Sequence, residues 1–341
     1  MKLLFALFVL GCKSPQPVDS ALTLEPTIEG FGAAARGGEG GVVLTVSSLE
    51  DSGPGSLREV LAAVDGPAEV QFSVEGEIEL QSTILVPSRV TLDGQGKVTL
   101  RGQGLYLHQV EDVILRDLRF HDIRGPGDAV TIEGGRLVLI WRCDFDNAGL
   151  DPTEPDEFVA VVWGATDVTI AWSRFANTDK VFLFGNGDAP PEVDGDIRVT
   201  LHDLFMQNNG RRHPFLRYGQ VDMYNSVISN WSLKTEKTYG LRVADGGRLL
   251  AEGVWFEQDS EAPDFTGDPA QAVALLGSPW LGTVVETDDA HIALVDPVQT
   301  DPRIVLDQTG DAFERPYPAT VQNPSAAWRA ALEAAVGPRG L

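Results

Sequence analysis

The sequence predicts an all-β solenoid in the form of a parallel β-helix, and three features support this fold class. Segments that alternate apolar and polar residues recur along the chain, and each ends in a large apolar residue. The ends are spaced by 25, 30, 30, 23 and 28 residues, as expected for the coils of a solenoid. Gly, Asn and Asp separate the segments, which is typical of turns between strands. The end residues are Phe120, Phe145, Phe175, Phe205, Ile228 and Phe256.

One such coil cannot bury its apolar face alone, so neighbouring coils must stack. Strands in stacked coils run parallel, and their apolar side chains point inward. We predict coils over about residues 42–258, within a domain that spans residues 30–341. A β-sandwich is the alternative, but its strands usually recur at roughly 8–12 residues.

Helices are predicted near both ends of the solenoid. Residues 56–59, S-L-R-E, fit a capping box, so a helix that continues to about Val64 should close the N-terminal end. An amphipathic segment, Ser325–Val336, is predicted as a helix that packs onto the coils. Residues 259–322 are rich in Pro and Asp and lack a period, which indicates long surface loops that complete a C-terminal extension.

The N-terminus is predicted to export and tether the domain. The apolar run Leu3–Leu10 is shorter than the roughly 20 residues that a membrane span needs. The run ends in V-L-G-C, which resembles a bacterial lipobox, so residues 1–12 are interpreted as a signal peptide in which Cys12 receives a lipid. Residues 13–29 then form a tether. We expect an exported, monomeric cell-envelope lipoprotein that meets a membrane only through Cys12; an ordinary signal peptide and secretion are the alternative.

Composition argues against several other functions. The chain has 26 Lys and Arg against 50 Asp and Glu, a net charge of −24, which repels nucleic-acid phosphates and anionic lipid headgroups. The sequence contains no H-E-x-x-H and no G-x-S-x-G motif. The glycines of Gly37–Gly41 lack the Lys-Ser/Thr of a phosphate loop and indicate a turn. Cys143 is expected to be a small core residue.

Positive charge is concentrated between Gln207 and Gly219. This stretch contains Arg211, Arg212 and Arg217 but no acid. Lys180 lies on the preceding coil in the predicted repeat and is expected beside the arginines. Fixed cations on a β-helix would suit a polyanionic sugar whose carboxylates need neutralising. The alternative is that these cations only form ion pairs with nearby acids.

Several motifs, in order between about Gly30 and Phe256, resemble the pectate lyase family (polysaccharide lyase family 1). They are G-F-G-A-A-A-R-G-G-E-G-G from Gly30, L-E-D-S-G-P-G-S-L-R from Leu49, D-A-V-T-I from Asp128, A-T-D-V-T-I-A-W-S-R-F from Ala165, D-K-V-F-L-F-G from Asp179 and R-H-P-F-L-R-Y-G from Arg212. The resemblance implies a right-handed parallel β-helix that cleaves polygalacturonate, an acidic polysaccharide, by calcium-assisted β-elimination.

The same resemblance implies roles for three cations. Arg212 matches the first arginine of the family's R-x-P-x-x-R element, the base that removes the proton from C5 of the sugar. Arg217 matches the second arginine and Lys180 the lysine of the D-K segment, and both are expected to contact substrate carboxylates. Arginine normally keeps its proton. Arg212 can therefore act as a base only if Arg217, Lys180 and calcium disfavour its charged form.

The resemblance also implies calcium ligands. Asp128 matches one ligand aspartate, and either Asp156 or Glu157 matches a second acid, depending on a one-residue gap before Gly164. A bound calcium ion and two cations would stabilise the negative charge that develops when the C5 proton leaves.

The chain departs from the family pattern at several positions. Ala160, or Val161 in the other register, replaces an expected acid, and Pro and Gly occupy residues 126–127 near Asp128. Trp141 and Arg142 replace the acid and the histidine of the family's W-I-D-H-C segment.

These departures leave three functional hypotheses. Calcium prefers six to eight oxygen ligands, so a lyase should bind it weakly until substrate supplies more of them. A catalytically weak or silent β-helix that binds polysaccharide at the cell surface is the main alternative. A glycoside hydrolase would need a carboxylate pair, which Asp128 and Asp156 could supply, but the intact R-x-P-x-x-R element argues against it.

Overall fold

The protein folds as a parallel β-helix, which confirms the predicted all-β solenoid. The computed structural model describes residues 22–151, 155–187, 189–231, 239–258, 285–286, 290–300 and 313–339. Three parallel sheets, here called A, B and C, run along the solenoid, and each coil contributes one short strand to a sheet. The predicted signal peptide, residues 1–12, and most of the predicted tether lie outside the described residues.

Each sheet is built from strands of successive coils. Sheet A contains β1 (Val42–Val46), β2 (Ala68–Phe72), β5 (Val90–Asp93), β8 (Glu111–Arg116), β11 (Arg136–Trp141), β14 (Thr166–Ala171), β17 (Arg198–His202), β20 (Gln220–Tyr224), β23 (Arg248–Glu252) and β26 (His291–Val295). Sheet B contains β3 (Gly76–Leu80), β6 (Val98–Gly102), β9 (Arg119–Ile123), β12 (Asp144–Asp146), β15 (Arg174–Ala176), β18 (Phe205–Gln207), β21 (Val227–Ser229), β24 (Trp255–Glu257) and β27 (Val298–Gln299). Sheet C contains β4 (Ile84–Leu85), β7 (Leu105–His108), β10 (Val130–Glu133), β13 (Glu157–Val162), β16 (Lys180–Phe184), β19 (Phe215–Arg217), β22 (Arg242–Ala244) and β25 (Val285–Glu286).

The predicted apolar stack forms inside the solenoid. Phe145 lies opposite Phe120 on one side and Phe175 on the other, and the ring centroids are 4.7 and 4.5 Å apart. The predicted phase is wrong by one residue on the next coil, because Met206 rather than Phe205 lies opposite Phe175. A shift of one residue moves a side chain to the other face of a strand. Phe205 is therefore buried outside the solenoid.

Helix α1 (Leu57–Ala62) covers the N-terminal end, as predicted. The Ser56 side chain accepts a hydrogen bond from the Glu59 backbone N–H at 3.2 Å, so the cap forms. The Glu59 carboxylate accepts from the Gly55 N–H at 2.6 Å, one residue earlier than in a standard capping box. Leu57 and Leu61 are buried against the core.

The helix predicted near the C-terminus is α3 (Ala326–Ala335), and it follows the short α2 (Pro191–Asp194) in chain order. Ser325 caps it by accepting from the Trp328 N–H at 3.2 Å. Its buried residues, Trp328 and Leu332, pack with Phe205 on the outside of the coils. The helix therefore covers a flank of the solenoid.

The prediction of loops over residues 259–322 is wrong in part. Strands β25, β26 and β27 extend sheets C, A and B by a further coil. Ile292 and Leu294 of β26 are buried in the core. These strands are short and follow a long interval after Phe256, so the coil period does not reveal them. Outside residues 285–286 and 290–300, the predicted loop region is described only at residues 313–322.

Two terminal segments cover the outer face of sheet A. The N-terminal strap, residues 27–41, carries the glycines: the Gly32 N–H donates to Thr169 Oγ1 at 2.9 Å, and the Gly38 N–H donates to Thr91 Oγ1 at 3.0 Å. A Cβ at Gly32 would lie 2.5 Å from a backbone oxygen of β11, so no larger residue fits this approach. The strap begins before Gly30, since the Trp172 indole donates to the Thr27 carbonyl at 3.2 Å.

The C-terminal strap, residues 313–322, lies beside the N-terminal one. Arg315 donates to both carboxylate oxygens of Asp222, at 2.6 and 2.9 Å, and Tyr317 donates to the same side chain at 2.5 Å. Asp222 is completely buried. Both straps therefore give buried polar groups of sheet A their partners. Within the described residues, no helix is long and apolar enough to cross a membrane.

Candidate active site on sheet C

All of the predicted site residues except Arg217 gather at or just before the starts of neighbouring strands of sheet C. Glu157 is the first residue of β13 and lies opposite Lys180, the first residue of β16. Lys180 in turn bridges to Arg211, beside Arg212. Asp128 immediately precedes this edge, since its carboxylate accepts from the Glu157 N–H at 3.0 Å. The coil repeat therefore brings together side chains that are distant in sequence.

Three acids form the centre of this cluster. One carboxylate oxygen from each of Asp128, Asp156 and Glu157 lies within 4.8 Å of the other two. Both candidates for the second acid thus belong to the cluster. Burial raises the pKa of Asp128 to about 7, and the charge of Asp156 acts in the same direction. A hydrogen bond from Thr131 at 2.7 Å opposes that rise.

Two predicted cations form ion pairs with these acids. Lys180 Nζ contacts Asp156, and Arg212 Nη1 contacts Glu157. The Glu157 side chain is 2% exposed and that of Asp156 is 43% exposed. Burying an unpaired carboxylate is costly, and Arg212 gives buried Glu157 a partner of opposite charge. Lys180 therefore lies beside the arginines, as the coil repeat predicts, and Lys180 and Arg212 are both paired with acids.

Arg217 lies beside this cluster rather than in it. Its guanidinium stacks on the Phe215 ring at 4.1 Å and faces Asp245 at 3.6 Å. Arg212 approaches the same ring at 5.6 Å. Burial lowers the pKa of Arg217, and the nearby charges of Arg212 and Arg242 lower it further. Arg242 lies 4.4 Å from the same ring, so three arginines surround it, and Arg217 is held away from the acids.

A buried ion pair that the sequence analysis did not identify adjoins both Lys180 and Arg212. Arg211 Nη2 donates to Asp179 at 2.9 Å, and Arg211 Nε lies 3.2 and 3.3 Å from its two oxygens. A Cβ at Gly210 would lie 2.4 Å from the Asp179 carboxylate, so glycine allows this close contact. The pair fixes the backbone from which both cations project. Its sequence signal was available, because Asp179 precedes Lys180 and Arg211 precedes Arg212.

The departures from the family pattern fall in different places. Ala160 lies opposite Thr131 on sheet C and is buried, as is Val161, so neither can supply the missing acid. Trp141 ends β11, in sheet A, and Arg142 follows it and faces Asp117 at 3.5 Å. The replacements at residues 160–161, on sheet C, and at residues 126–127, immediately before Asp128, therefore lie beside the acid cluster, whereas those at residues 141–142 lie on or after a strand of sheet A.

Comparison with known proteins assigns the chain to a class and then to a family. A family model described as pectate lyase matches residues 75–267, more than half of the chain. The fold and this match define a polysaccharide lyase, an enzyme that breaks carbon–oxygen bonds. The chain belongs to the pectate lyase family.

Curated relatives and solved structures agree with this assignment. Pectate lyase 1 of Hesperocyparis arizonica is 29% identical over 293 residues, which cover 76% of this chain and 78% of the relative. The pollen allergen jun a 1 has the same fold, with a TM-score of 0.67 at 24% identity over 91% of this chain and 92% of its own. A Bacillus sp. N165 pectate lyase in complex with trigalacturonate has a TM-score of 0.67 at 19% identity, covering 91% of this chain and 98% of that one.

Proposed function

We propose that this protein cleaves polygalacturonate, or a closely related uronate polymer, by β-elimination with Arg212 as the base. The observation that carries the proposal is the convergence of Arg212, Lys180 and three carboxylates at one edge of sheet C. Membership of the pectate lyase family supports the reaction class. The trigalacturonate bound to the Bacillus sp. N165 lyase supports an acidic polysaccharide as substrate.

Each cation has a separate task in this proposal. Lys180 and Arg217 hold the carboxylate on C5 of the reacting sugar, which stabilises the negative charge that develops there. Arg212, in its neutral form, takes the C5 proton. The electrons of the C5–H bond form a double bond between C4 and C5 as the C4–O bond breaks. The departing sugar oxygen takes a proton from water, and the hydroxide left behind takes the proton that Arg212 holds, which restores the neutral base. The products are one unsaturated end and one new reducing end.

The acid cluster suits a calcium ion. Asp128, Asp156 and Glu157 offer only oxygen donors, which is the chemistry that calcium prefers, and they lie close enough to share one ion. Three side chains supply fewer oxygens than calcium requires, so water and substrate must supply the others. When bound there, calcium would withdraw electron density from the substrate carboxylate and make the C5 proton more acidic.

A specific observation keeps the polysaccharide-binding alternative in view. Ala160 and Val161 provide no acid, so the calcium site has fewer ligands than the family pattern predicts. A glycoside hydrolase is less well supported, because its two carboxylates must stand roughly 5–9.5 Å apart with one kept protonated. Carboxylate oxygens of Asp128 and Asp156 instead lie within 4.8 Å of each other, and Asp156 contacts the Lys180 ammonium.

Incubation of the purified protein with polygalacturonate, with and without calcium, separates these functions. The proposal expects calcium-dependent ultraviolet absorbance from the unsaturated product. A hydrolase would generate reducing ends without that absorbance. A silent binder would retain the polymer and generate neither signal, and either of these results would refute the proposed elimination.

A further inference from the structure

Calcium binding and substrate binding at the cluster compete for the same charged groups. Lys180 contacts Asp156, and Arg212 contacts Glu157. In the proposed function, the acids bind calcium and the cations bind substrate carboxylates. The part of this inference that concerns substrate rests on that function. The four side chains cannot complete both sets of contacts while they remain paired with one another.

Electrostatics makes this competition strong for calcium. A calcium ion bound by Asp156 and Glu157 would stand close to two positive side chains. Like charges a few ångströms apart repel strongly where water is partly excluded. Glu157 is almost completely buried, so repulsion of Arg212 there is poorly screened by solvent. Lys180 and Arg212 are each less than one-fifth exposed, so they too are only partly hydrated.

We propose that calcium binding at this site is a counter-ion exchange. Calcium replaces Lys180 at Asp156 and Arg212 at Glu157, and the two released cations turn to the uronate carboxylates of the substrate. No covalent bond is made or broken in the exchange, and the total charge of the cluster and its ligands is conserved. Calcium thereby releases the base as well as completing its own site.

The exchange couples calcium to substrate in both directions. Substrate carboxylates compete with Asp156 and Glu157 for the cations, so bound substrate must tighten calcium binding. By linkage, calcium must tighten substrate binding by the same factor. A calcium ion that only bridges enzyme and substrate would also produce coupling. The two mechanisms differ in what Lys180 does when substrate is absent.

Neutralising Lys180 distinguishes them. In a counter-ion exchange, Lys180→Met removes a competitor for Asp156, and calcium should bind the substrate-free protein more tightly. In a simple bridge, Lys180 has no part in the substrate-free site. Arg217→Met is the matched control, because Arg217 is also a partly buried cation on sheet C but pairs with Asp245 instead of the cluster.

The measurement is a calorimetric titration of each full-length variant with calcium chloride alone. We expect Lys180→Met to lower the calcium dissociation constant about tenfold, which corresponds to about 1.4 kcal/mol, and Arg217→Met to change it less than threefold. Arg212→Met should likewise tighten calcium binding, because it removes the cation that competes at Glu157. Circular dichroism checks that each variant is folded. Unchanged or weaker calcium binding in folded Lys180→Met would overturn the exchange.

A second titration, in the presence of trigalacturonate, tests the coupling. The wild type should bind calcium more tightly with trigalacturonate than without it, and Lys180→Met should lose most of that gain. Equal gains in the two proteins would overturn the exchange. Turnover of polygalacturonate by the wild type is measured separately. Its absence would refute the proposed function, whereas the calcium titration without sugar would still decide whether the cations compete.

Discussion

Sheets A and C use buried ion pairs in different ways. On sheet A, Asp222 receives Arg315 and Tyr317 from the C-terminal strap, so its partners come from a segment that covers the sheet. On sheet C, Asp179 receives Arg211 from the next coil. Among the described residues, neither strap donates a hydrogen bond to the acid cluster. The same coil repeat thus produces a closed, structural face and a face whose charges can still change partners.

This difference has a physical origin in the strand register. On sheet A, one outward row carries Thr91 near one end and Thr169, Thr200 and Asp222 on three successive coils further along. These groups accept hydrogen bonds from a covering chain. On sheet C, the strand starts carry acids on two neighbouring coils, Asp128 and Glu157, and cations on the next two, Lys180 and Arg211. Charges of opposite sign can neutralise one another without a covering segment. We therefore expect the two faces to differ in function as well as in structure.

The largest effect is expected at Arg212. Arg212→Lys keeps the positive charge but changes the position and geometry of the proposed base. We expect elimination to fall at least about 100-fold, since a positioned acid or base typically contributes that much or more, while the fold is retained. The rate of unsaturated product formation measures it. Unchanged turnover would remove Arg212 from the role of base.

The next effect compares the two buried ion pairs directly. Asp179→Asn removes the carboxylate partner of Arg211, and Asp222→Asn removes the buried carboxylate shared by Arg315 and Tyr317, although Arg315 keeps Glu252 at 3.0 Å. Both substitutions should lower the melting temperature by several degrees. Only Asp179→Asn should also lower kcat, by about tenfold or more, because Asp179 fixes the backbone beside Lys180 and Arg212. Thermal unfolding and steady-state kinetics test this contrast. Similar losses of kcat in the two variants would mean that the faces are not functionally distinct.

A smaller effect concerns the pH dependence of calcium binding. Burial raises the pKa of Asp128 to about 7, and calcium binds the ionised carboxylate. Affinity should therefore rise as pH increases towards 7, by up to about tenfold per pH unit for one released proton, and level off above it. Calcium titrations between pH 5.5 and 8.5 measure this, with Asp128→Asn as the control that should lose the dependence. A flat profile in the wild type would exclude Asp128 as a ligand.

The smallest effect on the folded domain is expected at Cys12. We propose that the protein is an exported lipoprotein, so Cys12→Ser should prevent lipid attachment. The substitution should leave the rate of elimination unchanged, because Cys12 precedes the strap that begins at residue 27. Metabolic labelling with a fatty acid measures attachment. Absence of label on the wild type would favour an ordinary signal peptide and secretion.

The sequence predicts the solenoid well because one repeated physical requirement produces it. Phe120, Phe145 and Phe175 recur where each coil must fill the same interior space, and they do stack. The predicted spacing selects the wrong residue at Phe205. The adjacent apolar residues Phe205 and Met206 both fit the spacing between coils, but only Met206 points inward. Residues 285–299 were missed because a long interval separates them from the preceding coils.

The candidate site was predictable in its members but not in its contacts. Motif resemblance singled out Lys180 and Arg212, and the coil phase placed them side by side. It could not show that each is paired with an acid, because such pairing depends on the relative register of neighbouring coils. Arg211 was noticed only as a charge, and its bidentate pairing with Asp179 required the three-dimensional structure.

The most direct test of the account is the ultraviolet absorbance of product when the wild-type protein meets polygalacturonate and calcium, beside Arg212→Lys under the same conditions. The account predicts a steady rise for the wild type that stops when calcium is chelated, and a rise at least about 100-fold slower for the variant. Equal rates in the two proteins, or new reducing ends without unsaturated product, would contradict it.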